Sequence, residues 1–107
     1  MKYFTINELS KSTTAANKGI KNIPNDIETY CLTLLIDKVL DPIRKAWGRP
    51  IVVNSGFRCD RLNKLIGGAS NSDHKYGRAA DIEDYSRDTK KNKELFELIR
   101  KLNIPYK

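Results

Sequence analysis

Apolar residues in the middle of the chain recur at helical spacing. Ile27, Tyr30, Cys31, Leu34, Leu35, Val39, Ile43 and Trp47 fall close to an i, i+3, i+4, i+7 pattern. The spacing predicts one main helix, opened by Pro24 or Asn25 after a turn through Asn22-Ile23-Pro24 and ended by Gly48-Arg49-Pro50. Pro42 interrupts it. Either the helix restarts with Asp41 as N-cap and Pro42 in its first turn, or Pro42 kinks it, since proline lacks an N–H and crowds the preceding turn. Upstream, Thr5 and Glu8 form a T-x-x-E capping box, which predicts a short helix from near Ile6. A second short helix over 13–18 stops at Gly19, a residue suited to the left-handed cap position. Downstream, the β-branched run Ile51-Val52-Val53-Asn54 reads as a strand that Ser55-Gly56 turns out of. Residues 60–66 suit one or two helical turns closed by Gly67-Gly68, and 67–77 read as a glycine-rich loop. Residues 78–83 suit a second strand and 84–88 a polar turn. Residues 89–102 form an amphipathic helix with Leu95, Leu98, Ile99 and Leu102 on one side.

These elements predict an α+β fold, with helices packed on one face of a small, mainly antiparallel sheet and a site in the cleft above it. Two short strands make a poor sheet, because independent stability takes about three strands with a packed face. Ile104-Pro105-Tyr106 looks like the start of something further. The expectation is a single domain over 1–107 that is truncated at its C-terminus.

Length and composition agree. A chain of 107 residues leaves no room for two full cores, and 39% hydrophobic with 31% charged residues excludes wholesale disorder. No apolar run approaches the roughly 18–20 residues that span a bilayer. The opening Met1-Lys2-Tyr3-Phe4-Thr5 has no apolar h-region, which predicts a protein made without a signal peptide. Two cysteines exclude a disulfide-rich scaffold and any multi-cysteine zinc finger. One bridge between them stays open, although Cys31 on the apolar stripe reads as a small hydrophobe. The net charge of +7 invites a nucleic-acid reading, but the basic residues are scattered. The densest group, Lys90, Lys91 and Lys93, suits a solvated helix face. A basic surface equally suits an anionic cell-wall polymer.

The single histidine, His74, sits in the glycine-rich loop seven residues before Asp81. An imidazole and a carboxylate brought together are ordinary ligands of a catalytic zinc, which needs three protein ligands and an open position. Spacing alone makes this a weak signal. The surrounding residues add to it. Ser72-Asp73-His74-Lys75-Tyr76-Gly77-Arg78-Ala79-Ala80-Asp81 matches S-x-H-x-x-G-x-A-x-D. Upstream lie Val53-Asn54-Ser55-Gly56-Phe57-Arg58, then Arg61-Leu62-Asn63 and Gly67-Gly68. Together these resemble the zinc D-alanyl-D-alanine carboxypeptidase and dipeptidase family, related in fold to lysostaphin-type peptidases and the Hedgehog signalling domain. Phe4-Thr5-Ile6-Asn7-Glu8-Leu9 and Val39-Leu40-Asp41-Pro42-Ile43-Arg44 look similar to its phage and bacterial branch. The resemblance covers about residues 3–85.

It implies that His74 and Asp81 are two zinc ligands and that Ser72 hydrogen-bonds the peptide substrate. It places Arg58 near the scissile carbonyl, where a guanidinium stabilises the developing oxyanion. Gly77 would allow the turn between the ligands, and Ala79 and Ala80 would leave space beside the metal. The implied substrate is the stem peptide of peptidoglycan, and the implied action is on the cell wall, as a released phage-type lysin. The protein is expected to work as a monomer with no specific nucleic acid. Without the motif, Arg58 would read as a surface residue pairing with Asp60, Ser72 as a helix cap and Asp81 as a turn residue. The family's third ligand is a later histidine with a general base near it, and this chain has no second histidine. Asp73 stands where the family commonly has a neutral residue, and Cys59 replaces a common serine. Glu83 or Asp84 as a substitute ligand is disfavoured, since side chains two apart on a strand stand about 7 Å apart. The missing ligand leaves a non-catalytic cell-wall-binding module of the same fold as the alternative, with a basic nucleic-acid-binding protein behind it.

Overall fold

The computed structural model describes residues 1–102. The expected further element at Ile104-Pro105-Tyr106 lies outside the described residues. Six helices and two strands follow in order: α1 (Ile6–Ser10), α2 (Thr13–Asn17), α3 (Asp26–Leu35), α4 (Asp41–Trp47), β1 (Ile51–Ser55), α5 (Asp60–Leu65), β2 (Asp81–Asp84) and α6 (Thr89–Leu102). This is the expected α+β arrangement.

Local chemistry accounts for the helix starts. Thr5 Oγ1 accepts from the Glu8 N–H at 3.1 Å. The reciprocal capping box forms at α3, where Glu28 N–H donates to Asn25 Oδ1 at 2.8 Å and Asn25 N–H to Glu28 Oε1 at 2.9 Å. Asn25 therefore opens the main helix, rather than Pro24. Pro42 neither breaks nor restarts it. Residues Ile36–Leu40 form one wide π turn in which the Asp41 N–H bonds the Ile36 carbonyl, five residues back. The widened turn absorbs the change in hydrogen-bond register just before the residue that has no N–H to give. Asp41 keeps helical angles, and its carboxylate accepts instead from the Lys2 and Tyr3 N–H groups at 2.7 and 3.0 Å. That contact ties the N-terminal segment to the helix.

The buried face of this helix differs from the stripe read in the sequence. Leu32, Ile36, Leu40 and Ile43 are buried, whereas Ile27, Tyr30 and Leu34 are exposed. The helix is apolar on two opposite sides, so periodicity finds both. Packing selects the side that meets Phe4, Leu9, Ile51, Phe57 and Leu95 in the main core. A smaller cluster of Ala15, Ile20 and Leu62 lies beside it, and Cys59 packs against both. Cys31 and Cys59 are free thiols.

The strands pair antiparallel, Ile51 with Asp84, Val52 with Glu83, Val53 with Ile82 and Ser55 with Asp81, with a bulge between Val53 and Ser55. The second strand is thus Asp81–Asp84, not 78–83. Ser55 ends β1 opposite Asp81, so residues 78–80 have no strand to pair with. Asp84, expected in a polar turn, is fully buried. Its carboxylate accepts from Arg49 Nε and Nη2 at 2.9 and 3.1 Å, Trp47 Nε1 at 2.8 Å and Ser86 Oγ at 2.5 Å. Its own N–H donates to Asn92 Oδ1 at 2.7 Å. One residue thereby joins the end of α4, β2, the following turn and α6.

Candidate active site

The segment before β2 holds itself in shape. Residues Asp73–Tyr76 form a single 3-10 turn inside what the sequence suggested was open loop. Ser72 Oγ accepts from the His74 N–H at 3.3 Å, so the serine caps this turn. Gly77 closes it with φ of 73°, and a Cβ there would stand 2.7 Å from the Glu28 carbonyl oxygen and 3.1 Å from Leu32. Glycine is required twice, for the left-handed backbone and for the approach to α3. Gly77→Ala is expected to destabilise the fold by about 2 kcal/mol or more, measured by denaturant unfolding.

The turn aims His74 inward. Its Nδ1 lies 2.7 Å from the Gly56 carbonyl oxygen. A carbonyl can only accept, so Nδ1 carries a proton, and in the neutral ring Nε2 is the nitrogen with the lone pair. Nε2 faces Asp81 Oδ2 at 3.5 Å. The imidazole is largely enclosed, with 12% exposure, whereas the Asp81 side chain is 66% exposed. Imidazole nitrogen and carboxylate oxygen thus converge at a point open to solvent. The Nδ1–H bond to a backbone carbonyl is the support that orients a metal-binding histidine. These donors fit two of the three protein positions of a zinc site.

Arg58 joins this pair through the backbone, its N–H donating to the His74 carbonyl at 3.1 Å. Its side chain lines a cleft of about 500 Å³ with Glu8, Lys11, Ser12 and Ser55. Arg58 Nε is buried with no partner, which leaves one strong donor unspent. The expected alternative pairing with Asp60 is absent: Asp60 bonds Lys75 at 2.9 Å and Lys64 at 3.3 Å. Those bonds, Lys75's first, hold its carboxyl below the usual range. Asp81 opens onto another groove, about 560 Å³, lined by Ala79, Ala80, Ile82, Leu35, Val39 and Ile99. Asp73 lies on that groove and pairs with Arg78 at 3.1 Å.

Among the described residues no three His, Cys, Asp or Glu side chains cluster as a metal site. Glu83 is engaged by Arg87 at 2.9 Å and by Asn54, and Asp84 by Arg49 and Trp47, so neither is a free third ligand. Cys59 is spent on apolar packing. Sequence reasoning missed Asn22, read only as part of a turn. Its side chain bonds three backbone groups, two of which flank Arg58. An asparagine just ahead of an X-Pro step was the only available signal.

The family model for peptidase M15 matches residues 2–103. The chain belongs to the peptidase M15 family. A zinc D-Ala-D-Ala carboxypeptidase of Streptomyces albus G is 54% identical over 44 residues, which is 40% of this chain and 17% of that protein. The chain therefore spans a small part of the length of this relative. No solved structure matches it. Membership agrees with the resemblance carried by the motif from Ser72 to Asp81 and with the α+β architecture.

Proposed function

We propose that this M15 chain is a zinc-dependent peptidase domain that hydrolyses D-amino-acid-containing peptide bonds of peptidoglycan, as a carboxypeptidase or an endolysin. The observation that carries the reading is the His74 ring, fixed by Gly56 through Nδ1 and meeting Asp81 through Nε2. His74 and Asp81 would hold the zinc, and Asp81's carboxylate would offset part of its charge. Zinc, when bound, supplies Lewis-acid chemistry, polarising a peptide carbonyl and making water a stronger nucleophile near neutral pH.

The remaining roles fall to the chain's own residues. Arg58, which lines the cleft it shares with Glu8 and Ser55 and is bonded through its backbone to His74, would supply positive charge where the carbonyl oxygen gains negative charge. Ser72 caps the ligand turn through Oγ and keeps its hydroxyl hydrogen for a substrate carbonyl. The small side chains of Ala79 and Ala80 leave the groove beside Asp81 open to an extended peptide. The net charge of +7 favours approach to an anionic cell wall. Location at the wall, as a released lysin, belongs to this proposal.

Synthetic stem peptides incubated with the zinc-loaded chain, with products identified by mass, test the reading and reveal which bond is cut. Arg58→Ala is expected to lower kcat about 10²–10³-fold with a smaller change in KM. Wild-type chain that holds zinc and cuts no D-amino-acid peptide would contradict the proposal. The two-ligand count among the described residues favours a second reading, a wall-binding module without hydrolysis. Under it, cosedimentation with purified cell walls persists and no product forms.

A further inference from the structure

Between β1 and α5 the chain runs through Gly56, Phe57, Arg58 and Cys59 with no regular secondary structure, yet most of its backbone polar groups are partnered. The Phe57 N–H donates to the Leu9 carbonyl at 2.7 Å, and the Arg58 N–H to the His74 carbonyl at 3.1 Å. The Gly56 carbonyl receives His74 Nδ1 at 2.7 Å. The two groups on either side of Arg58 both go to a single side chain. Asn22 Nδ2 donates to the Phe57 carbonyl at 2.9 Å, and Asn22 Oδ1 accepts from the Cys59 N–H at 2.7 Å. A second bond, Nδ2 to the Ser10 carbonyl at 2.7 Å, anchors the amide to the end of α1.

The Asn22 amide thus stands in for a neighbouring strand. It presents a donor and an acceptor to the 57–59 backbone at the spacing a ladder partner would. The stretch it clamps is short, carries the Arg58 guanidinium and contacts both the ring and the carbonyl of His74. Among the described residues no other side chain bonds to it from outside apart from His74 itself. Without the clamp, two backbone groups of a part-buried segment lose their partners and the segment can shift to find others.

We infer that Asn22 is a positioning residue for the M15 site, holding the 56–59 backbone so that the Gly56 carbonyl fixes the His74 ring and Arg58 faces its cleft. It touches neither reacting atoms nor metal. Partners that support a ligating histidine typically change metal affinity by about 10–100-fold when removed, and Asn22 acts one bond further out. The expected effect of Asn22→Ala is a zinc affinity about tenfold lower.

The control is Asn92→Ala. Asn92 also holds a backbone group, the Asp84 N–H, but away from His74 and Arg58. The full chain and both variants would be compared by thermal unfolding, zinc titration and amide hydrogen exchange. Asn22→Ala should speed exchange at the Arg58 N–H at least about tenfold and weaken zinc. Asn92→Ala should lower stability with zinc affinity and Arg58 exchange unchanged. Asn22→Asp keeps the acceptor toward Cys59 and loses both donors, so it carries the comparison should Asn22→Ala fail to fold. Unchanged exchange at Arg58 in a folded Asn22 variant would overturn the inference, as would equal zinc loss in both asparagine variants. The metal arm rests on the peptidase reading and the exchange arm does not. A wild-type chain that binds no zinc therefore counts against that reading, while exchange at Arg58 still decides the role of Asn22.

Discussion

Asp84→Asn is expected to lower the unfolding midpoint by about 15 °C or more, the largest stability loss among single isosteric changes in this chain. The carboxylate is fully buried and accepts from Arg49, Trp47 and Ser86. An amide turns one acceptor oxygen into a donor that faces these donors, and it leaves the Arg49 guanidinium without its counter-charge. Breaking one partner of such a pair costs far more than the intact pair contributes. Differential scanning calorimetry measures the shift. The same site sets an acid limb. The Arg49 bond, helped by Ser86 and Trp47 against the opposing effect of burial, holds the Asp84 carboxyl well below the usual carboxylate range. A group whose folded pKa is depressed contributes stability in full above its unfolded value, about 3.9, and loses that contribution as pH falls below it. Wild-type stability should therefore drop steeply from about pH 4 downward, and Asp84→Asn should flatten that limb.

His74→Ala should leave the fold standing and remove the metal site. The ring is held by one bond to the Gly56 carbonyl, so its loss is expected to cost about 1–2 kcal/mol. Zinc affinity should fall more than about 100-fold, because one exposed carboxylate, Asp81, remains of the pair. Peptide hydrolysis should fall to background. Calorimetry and zinc titration on the same sample separate the two effects. An unfolded His74→Ala chain would mark the residue as a core element, and unchanged zinc binding would place the metal elsewhere.

The start of α1 was legible because capping is local: Thr5 and Glu8 sit three residues apart and their bond needs no tertiary partner. The β-branched run at Ile51 and the glycine turn at Gly77 were legible for the same reason. The buried face of the main helix was not, since its two apolar sides are equivalent until Phe4, Leu9 and Phe57 choose one. The limits of β2 followed from where β1 ends, which is a pairing across the chain. Asp84 looked like a turn residue because its partners, Arg49 and Trp47, lie some 35 residues away. Asn22 was hidden in the same way, 35 and 37 residues from the backbone groups it holds. In the site, the pairing of His74 with Asp81 was readable from the motif. The hydrogen bond that sets the tautomer of His74 was not, because it comes from a backbone carbonyl 18 residues away.

The measurement closest to the central claim is the zinc content of the full 107-residue chain after dialysis against a mild chelator. One zinc retained per wild-type chain, and none in Asp81→Asn with an unchanged unfolding midpoint, is the expected result. Zinc retained equally by wild type and Asp81→Asn, or by neither, would contradict a metal centre built on His74 and Asp81.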